Sequence, residues 1–364
     1  MKKADKLFFV MIKKIELQNF RNFKKRVFEF SPEITVIIGP NASGKTNILE
    51  SLYLLSTGKS FKAKVEEEMI GYDEDICRVN GEIFEAESEI ISLETVVTRG
   101  KIDIGAERPE RVPRKKLLVN GVPRRMVDFA GNFRTVLFGP WDLDLVTESP
   151  SVRRRFLDTV LSQADREYRR STLSYEKGLR QRNRVLWDMR EGNIGPDRLL
   201  FWNQLLIKNG NYITEKREEF IDFVNSLEFE INGLKLNISY DKSVISEGRL
   251  EQYKEEEVSA ATTLVGPHRD DFVFNKGERS LSSYGSRGEQ RMGVLWLKMA
   301  ELSFIEEKNS ARPTLLLDDI FSELDEEHKK VVMGIALKQQ TIITSVDDEF
   351  AKELKKVERI ELIG

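Results

Sequence analysis

The stretch Ile34-Thr35-Val36-Ile37-Ile38-Gly39-Pro40-Asn41-Ala42-Ser43-Gly44-Lys45-Thr46 decides how the rest of the chain is read. From Gly39 onward it matches G-x-x-x-x-G-K-[ST] at every fixed position. Each fixed residue has its own phosphate-binding task. The glycines let the backbone turn tightly, so that successive N–H groups point at phosphate oxygens. Lys45 carries a point charge to the β- and γ-phosphates, and the Thr46 hydroxyl is offered to Mg²⁺. Context strengthens the reading. Ile34 to Ile38 is a β-branched apolar run suited to a buried parallel strand. Asn47 to Leu55 then spaces its apolar residues as a helix does. The loop is therefore predicted between a strand and a helix N-terminus, where the helix dipole favours an anion.

A chain of 364 residues, 40% of them hydrophobic, has room for two or three domains and a sizeable core. One cysteine, Cys77, excludes an internal disulfide, and two histidines, His268 and His328, argue against a His/Cys metal site. The net charge of −3 is unevenly spread: residues 101–190 hold 20 Lys/Arg against 12 Asp/Glu, which leaves −11 for the rest. Such a region can offer an anion-binding face on an acidic protein. Near the N-terminus the apolar run from Leu7 to Ile12 is too short for a signal peptide and is closed by Lys13-Lys14. No segment has the apolar length of a membrane span. The chain reads as cytoplasmic, with 1–10 as an extension before Met11.

Residues 12–100 carry strand patterns around the single loop-following helix, and Asn120-Gly121 marks a hairpin turn. From about 150 the period becomes helical. Segments 150–190 and 196–227 read as a helical hairpin, separated by the breakers of 191–196. A strand returns at 234–240, and the acidic stretch 247–258 reads as a flexible approach. The last third is again α/β. The organisation expected is an α/β head formed by 11–145 and 260–364, with a mainly helical inserted lobe at 146–259.

A phosphate loop needs a carboxylate near its metal. Leu315-Leu316-Leu317-Asp318-Asp319 ends an apolar strand with two, the Walker B arrangement. Asp318 is placed to orient Mg²⁺, and Asp319 to polarise the attacking water as general base. Before it stands Ser286-Arg287-Gly288-Glu289-Gln290, opening a helix. Small residues at a helix start form a second phosphate-binding end, though alone they read as an ordinary cap. One ATP does not need two such ends from one chain. Two copies facing each other across a two-fold axis would use both, each nucleotide touching Lys45 of one copy and Ser286 and Gly288 of the other.

The order phosphate loop, Ser-x-Gly-x-Gln helix, Walker B strand and Ser322-Glu323-Leu324-Asp325 resembles the ABC-type ATPase heads of SMC and RecF proteins, most specifically the RecF family. Asn19 to Phe23, Phe138 to Leu143, Ser149-Pro150 with Arg153 to Asp158, and Gly266 to Asp271 carry the narrower resemblance, which runs through nearly the whole chain from Met11. The resemblance implies that Gly39, Pro40, Asn41, Ala42, Ser43, Gly44, Lys45, Thr46 and Asn47 bind ATP, with Arg21 approaching the nucleotide. It further implies that the segment from Ser286 to Gln290 acts in trans as the signature, and that Asp325 is a dimer-interface carboxylate. Thr344 and Ser345 stand where transporter heads place a switch histidine. Most ABC proteins have Glu in place of Asp319; the shorter arm predicts slow hydrolysis.

By the same resemblance, ATP with Mg²⁺ pairs two heads on DNA at gaps or single-strand/double-strand junctions. Hydrolysis then releases the DNA, and RecR and RecO help load recombinase. Candidate DNA contacts are Arg114, Lys115, Lys116, Arg124, Arg125, Arg153 and Arg154, in a basic region that also holds Arg111, Arg155, Arg166, Arg169 and Arg170. The bland reading of any one of them is a solvated helix face, and for Arg153-Arg154-Arg155 the alternative is a structural lock between lobes through Asp158 or other carboxylates. Trp187 and Trp202 read as hairpin core. Three rivals fit less of the sequence. A transporter ATPase lacks its switch histidine here, a structural SMC clamp lacks long arms, and a small-molecule kinase leaves Ser286 and Asp325 unexplained.

Overall fold

The computed structural model describes residues 8–85, 89–102, 110–192, 194–227, 235–322, 324–347 and 357–363. Residues 1–7, Asn193, Leu234 and Glu323, which entered the sequence reading, lie outside the described residues. The chain divides into two compact units, Met1–Trp141 with Ile305–Gly364 and Asp142–Phe304.

In the first unit, a five-stranded all-parallel sheet runs in the order Thr135–Phe138, Thr314–Asp318, Thr341–Ser345, Ile34–Ile38, Val357–Glu361. The first three strands are buried throughout and Ile34–Ile38 nearly so, as their unbroken apolar runs require. The edge strand Val357–Glu361 is charged and half-exposed, which discourages further pairing. A six-stranded antiparallel sheet contains Met11–Phe20, Phe23–Glu29, Ile76–Glu85, Glu89–Thr98, Lys115–Val119 and Val122–Pro123. Asn120 (φ 51°) and Gly121 (φ 75°) form its predicted hairpin turn.

Helix Lys45–Thr57 supplies Ile48, Leu49, Leu52, Leu54 and Leu55 to the core it shares with residues of both sheets. Gly81 faces that helix so closely that a Cβ there would lie 2.5 Å from Leu55 Cδ1. The last residues of the stretch 1–10, expected to be an extension, have described contacts. Phe8–Phe9 pairs in parallel with Ala311–Arg312, and Val10 is buried.

The second unit is built on helices Pro150–Ala164, Arg166–Arg190 and Leu200–Ser226. The expected helix 150–190 is broken at Asp165, whose extended backbone and carboxylate cap the following helix through the Glu167 and Tyr168 N–H groups at 2.7 and 3.2 Å. Strand Leu236–Asp241 pairs antiparallel with Asp271–Lys276. That pairing, with Phe272 stacked edge-on against Phe156, draws 260–304 into this unit rather than into the first. The stretch expected to be flexible instead forms two short helices, Glu247–Gln252 and Lys254–Ala260.

Buried ion pairs tie this unit together. Arg217 bonds Asp158 and Asp270, each at 2.9 Å, and Arg182 bonds Glu257 at 2.7 Å. Removing one partner of such a pair strands a buried charge at a cost of about 3–5 kcal/mol.

Candidate active site

The phosphate loop leaves the C-terminal end of strand Ile34–Ile38, at the edge where parallel sheets place their ligands. Its backbone is shaped by two left-handed residues, Ala42 at φ 66° and Gly44 at φ 103°. A Cβ on Gly44 would fall within 2.8 Å of the Asn22 carboxamide and the Phe23 ring, so only glycine fits there. Lys45 is almost fully buried, and its ammonium donates to the Gly39 and Pro40 carbonyls at 2.6 and 3.0 Å. The Ser43 hydroxyl is buried with no hydrogen-bond partner in the described structure. A glycine-shaped cradle, a buried cation and an unsatisfied hydroxyl together suit a polyphosphate.

The second carboxylate-bearing strand closes the site. Thr46 Oγ1 lies 2.9 Å from Asp318 Oδ2, joining residues 272 apart in sequence. Thr344, on the strand between, donates its hydroxyl to Asp318 Oδ1 at 2.5 Å. Its own oxygens accept the Asp319 N–H, the carbonyl at 3.1 Å and the hydroxyl at 3.2 Å. Asp319 has φ 50°, a conformation that costs energy for a residue with a Cβ and is held by these bonds. Thr344 thus fixes both acids, a role the sequence reading missed. Only the register, which pairs Asp318 with Thr344, reveals it. Asn22 was missed as well. Its Nδ2 donates to the Ser43 carbonyl at 3.2 Å and its Oδ1 accepts from Asn47 at 2.9 Å, bracing the loop.

Arg21, Asp325 and the segment from Ser286 to Gln290 make their described bonds within the chain. Arg21 grips Glu50, a fully buried carboxylate on helix Lys45–Thr57, through Nε and Nη2 at 2.8 and 2.6 Å. A third donor reaches the Glu68 carbonyl at 2.5 Å. Arg21 is a strut between a turn and a helix in this structure. Asp325 is the N-cap of helix Glu326–Ala336, accepting from the His328 N–H at 3.0 Å and lying 2.6 Å from its Nδ1. Those bonds hold its carboxyl below the usual range. In the second unit, Ser286 and Glu289 form a reciprocal capping box at the start of helix Arg287–Asn309. Lys276 lies 2.6 Å from Glu289, and together with the Ser286 bonds it lowers that carboxyl to about 2. Gln290 is buried and donates to the Leu281 carbonyl, leaving its own carbonyl oxygen without a partner in the described structure.

The basic candidates divide. Arg153 is not a surface residue. It is buried and bidentate on Asp271 at 2.6 and 2.9 Å. Arg154 donates to the Asp270 carbonyl at 2.8 Å. Arg114 is paired with Glu67, and Lys115 with Glu66. Lys116, Arg124 and Arg125 are exposed. Trp187, expected in the hairpin core, is 48% exposed.

A parallel sheet with a phosphate loop, a Walker B strand one strand away and a capped signature-like helix define a P-loop ATPase head of the ABC type. Residues 11–363 match the family model described as the RecF/RecN/SMC N terminal domain. The DNA replication and repair protein RecF of Herpetosiphon aurantiacus is 35% identical, over 93% of this chain and 94% of that protein. RecF of Halalkalibacterium halodurans is 36% identical over 92% of each. A solved structure of the recombination mediator protein RecF with ATP, from the RecFOR pathway, superposes with a TM-score of 0.84 at 31% identity, covering 96% of this chain and 95% of that one. The Smc head domain of Pyrococcus furiosus, at 16% identity and a TM-score of 0.52, shares the fold. The chain belongs to the RecF family.

Proposed function

We propose that this chain is an ATP-dependent DNA repair and replication protein that works as a timing switch. Two copies close around two nucleotides, the closed pair holds DNA, and slow hydrolysis releases it. The observation that carries the reading is the pairing of Thr46 with Asp318 beneath the Lys45 loop. That arrangement serves a nucleoside triphosphate, and the RecF relatives, one of them solved with ATP, support it.

Lys45 and the loop N–H groups would take the β- and γ-phosphates, with the Ser43 hydroxyl turned to the same oxygens. Among the described residues no group of three His, Cys, Asp or Glu could hold a metal ion. The oxygen pair of Thr46 and Asp318 fits a different case, a Mg²⁺ that arrives on the nucleotide and keeps most of its waters. Bound there, it would neutralise charge on the phosphates. Asp319, fixed by Thr344, is set to orient water as general base. Its short arm fits slow turnover, which a switch needs more than speed.

The capping box uses the Ser286 and Glu289 N–H groups but leaves those of Arg287 and Gly288 at the positive end of a 23-residue helix. A γ-phosphate from a second copy would bind there. By linkage, DNA that prefers the closed pair must strengthen ATP-driven closure equally. The partners that follow are gapped or junction DNA, with RecR and RecO as protein partners. Sedimentation of the wild-type protein with ATP, with and without gapped DNA, tests the reading. A shift from monomer to dimer that DNA enhances supports it, and a monomer under every condition overturns it.

A further inference from the structure

Helix Arg166–Arg190 buries one face, through Tyr168, Ser171, Tyr175, Gly178, Arg182 and Leu186. The opposite face runs through Arg170, Leu173, Lys177, Arg180, Arg184 and Trp187, at alternating steps of three and four residues, and all six are exposed. At 1.5 Å per residue this stripe is roughly 25 Å long. The helix carries eight Lys/Arg against three Asp/Glu. Its hairpin partner Leu200–Ser226 carries three against four, so the positive charge belongs to one arm only.

A solvated helix face ordinarily pairs opposite signs at i,i+4, yet neither Glu176 with Arg180 nor Arg184 with Asp188 forms an ion pair in the described structure. Here Arg180 and Arg184 are like charges one turn apart, an arrangement that weakens a helix. Lys177, Arg180 and Arg184 have no ion partner among the described residues. Arg170 has only a 3.7 Å contact with Glu167. At the far end of the row, the half-exposed Trp187 ring presents a flat apolar surface. Unpaired cations at one-turn intervals, ending in an exposed indole, are what a single nucleic-acid strand needs: charge for its phosphates and a face for a base.

We propose that this face of the hairpin is a track for single-stranded DNA, with Lys177, Arg180 and Arg184 on successive phosphates and Trp187 stacked on a base. The inference rests on the reading of DNA as partner and adds a strand-specific site to it. Lys177→Gln/Arg180→Gln/Arg184→Gln and Trp187→Ala are compared with wild type on a labelled oligothymidylate and on a blunt duplex, across a salt series.

The triple variant is expected to bind the oligothymidylate at least tenfold more weakly. Its log K against log salt should be shallower by about 2, because three cations no longer release counterions from a single strand. Trp187→Ala should weaken binding without changing that slope, and oligothymidylate should quench tryptophan fluorescence in wild type more than in this variant. Duplex affinity should fall much less. Unchanged oligothymidylate binding by the triple variant, or a loss confined to duplex, overturns the track while leaving DNA as the partner. Wild-type protein that binds neither nucleic acid overturns the DNA reading itself. Circular dichroism and ATP binding, which exposed substitutions should leave unchanged, control for folding.

Discussion

Lys45 is a buried cation whose described partners are two loop carbonyls. Burying a charge against neutral dipoles is costly unless something repays it, and a triphosphate does. Lys45→Ala is therefore expected to reduce ATP affinity by at least two orders of magnitude while leaving the melting temperature nearly unchanged. Calorimetric titration checks this, and retained affinity would remove the phosphate-loop assignment. Arg21 poses the opposite question, because its described bonds are structural. Arg21→Ala leaves the fully buried Glu50 unpaired and should cost about 3–5 kcal/mol. The double substitution Arg21→Met/Glu50→Leu removes both charges and should recover most of that loss in a urea melt. ATP affinity of the double variant separates the two roles. Recovery along with stability makes Arg21 a strut alone, whereas persistent loss makes it a nucleotide contact as well.

Among the elements, the phosphate-loop strand and helix were legible because apolar runs and glycine positions act locally. The same is true of the hairpin turn at Asn120-Gly121. What the sequence did not show depends on contacts between distant segments. Asp165 interrupts a helical period that continues across it, and only its cap geometry reveals the break. A structural lock is one reading of the Arg153 to Arg155 run, but the carboxylate partner of Arg153, Asp271, stands 118 residues away and was not legible. The grip of Thr344 on both acids follows from strand order.

Two elements carry predictions of their own. The helix opened by Ser286 is capped but leaves N–H groups at its end. Ser286→Arg fills that end with charge and bulk, so each copy should still bind ATP but fail to pair in sedimentation; unchanged pairing would reduce the signature to a capped helix. The Gly266–Asp271 segment holds His268 between the Tyr175 hydroxyl at 2.8 Å and the Thr263 carbonyl at 3.0 Å. Burial lowers this imidazole to about 4, and the Thr263 bond only partly opposes the shift. The unfolded chain therefore takes up the proton first. Stability due to neutral His268 is complete above about pH 6.5 and falls as pH drops toward 4, by about 3 kcal/mol at most. His268→Asn should flatten that part of the stability–pH curve in urea melts, and an unchanged slope would place the proton uptake elsewhere.

For the whole molecule, the phosphate loop and the signature helix belong to different compact units of one chain. A dimer lets each copy supply one half of a pocket and receive the other half in return, which is the property of an isologous interface. Asp319→Asn tests this directly. The side chain stays nearly isosteric, and the backbone bonds that Thr344 makes to residue 319 need no carboxylate. With Asp319 as the proposed general base, binding should persist while turnover falls at least a hundredfold. If hydrolysis reopens the pair, as proposed, the variant should accumulate as dimer at ATP concentrations where wild type is a mixture. Gapped DNA should lower the ATP concentration needed, by the same factor that ATP improves DNA affinity. Light scattering on the variant measures the first quantity and anisotropy with a gapped duplex the second. A variant that binds ATP tightly, fails to hydrolyse it and remains monomeric at saturation would show that one copy encloses the nucleotide alone. Unequal factors in the two titrations would mean that DNA and ATP do not act through the same closure.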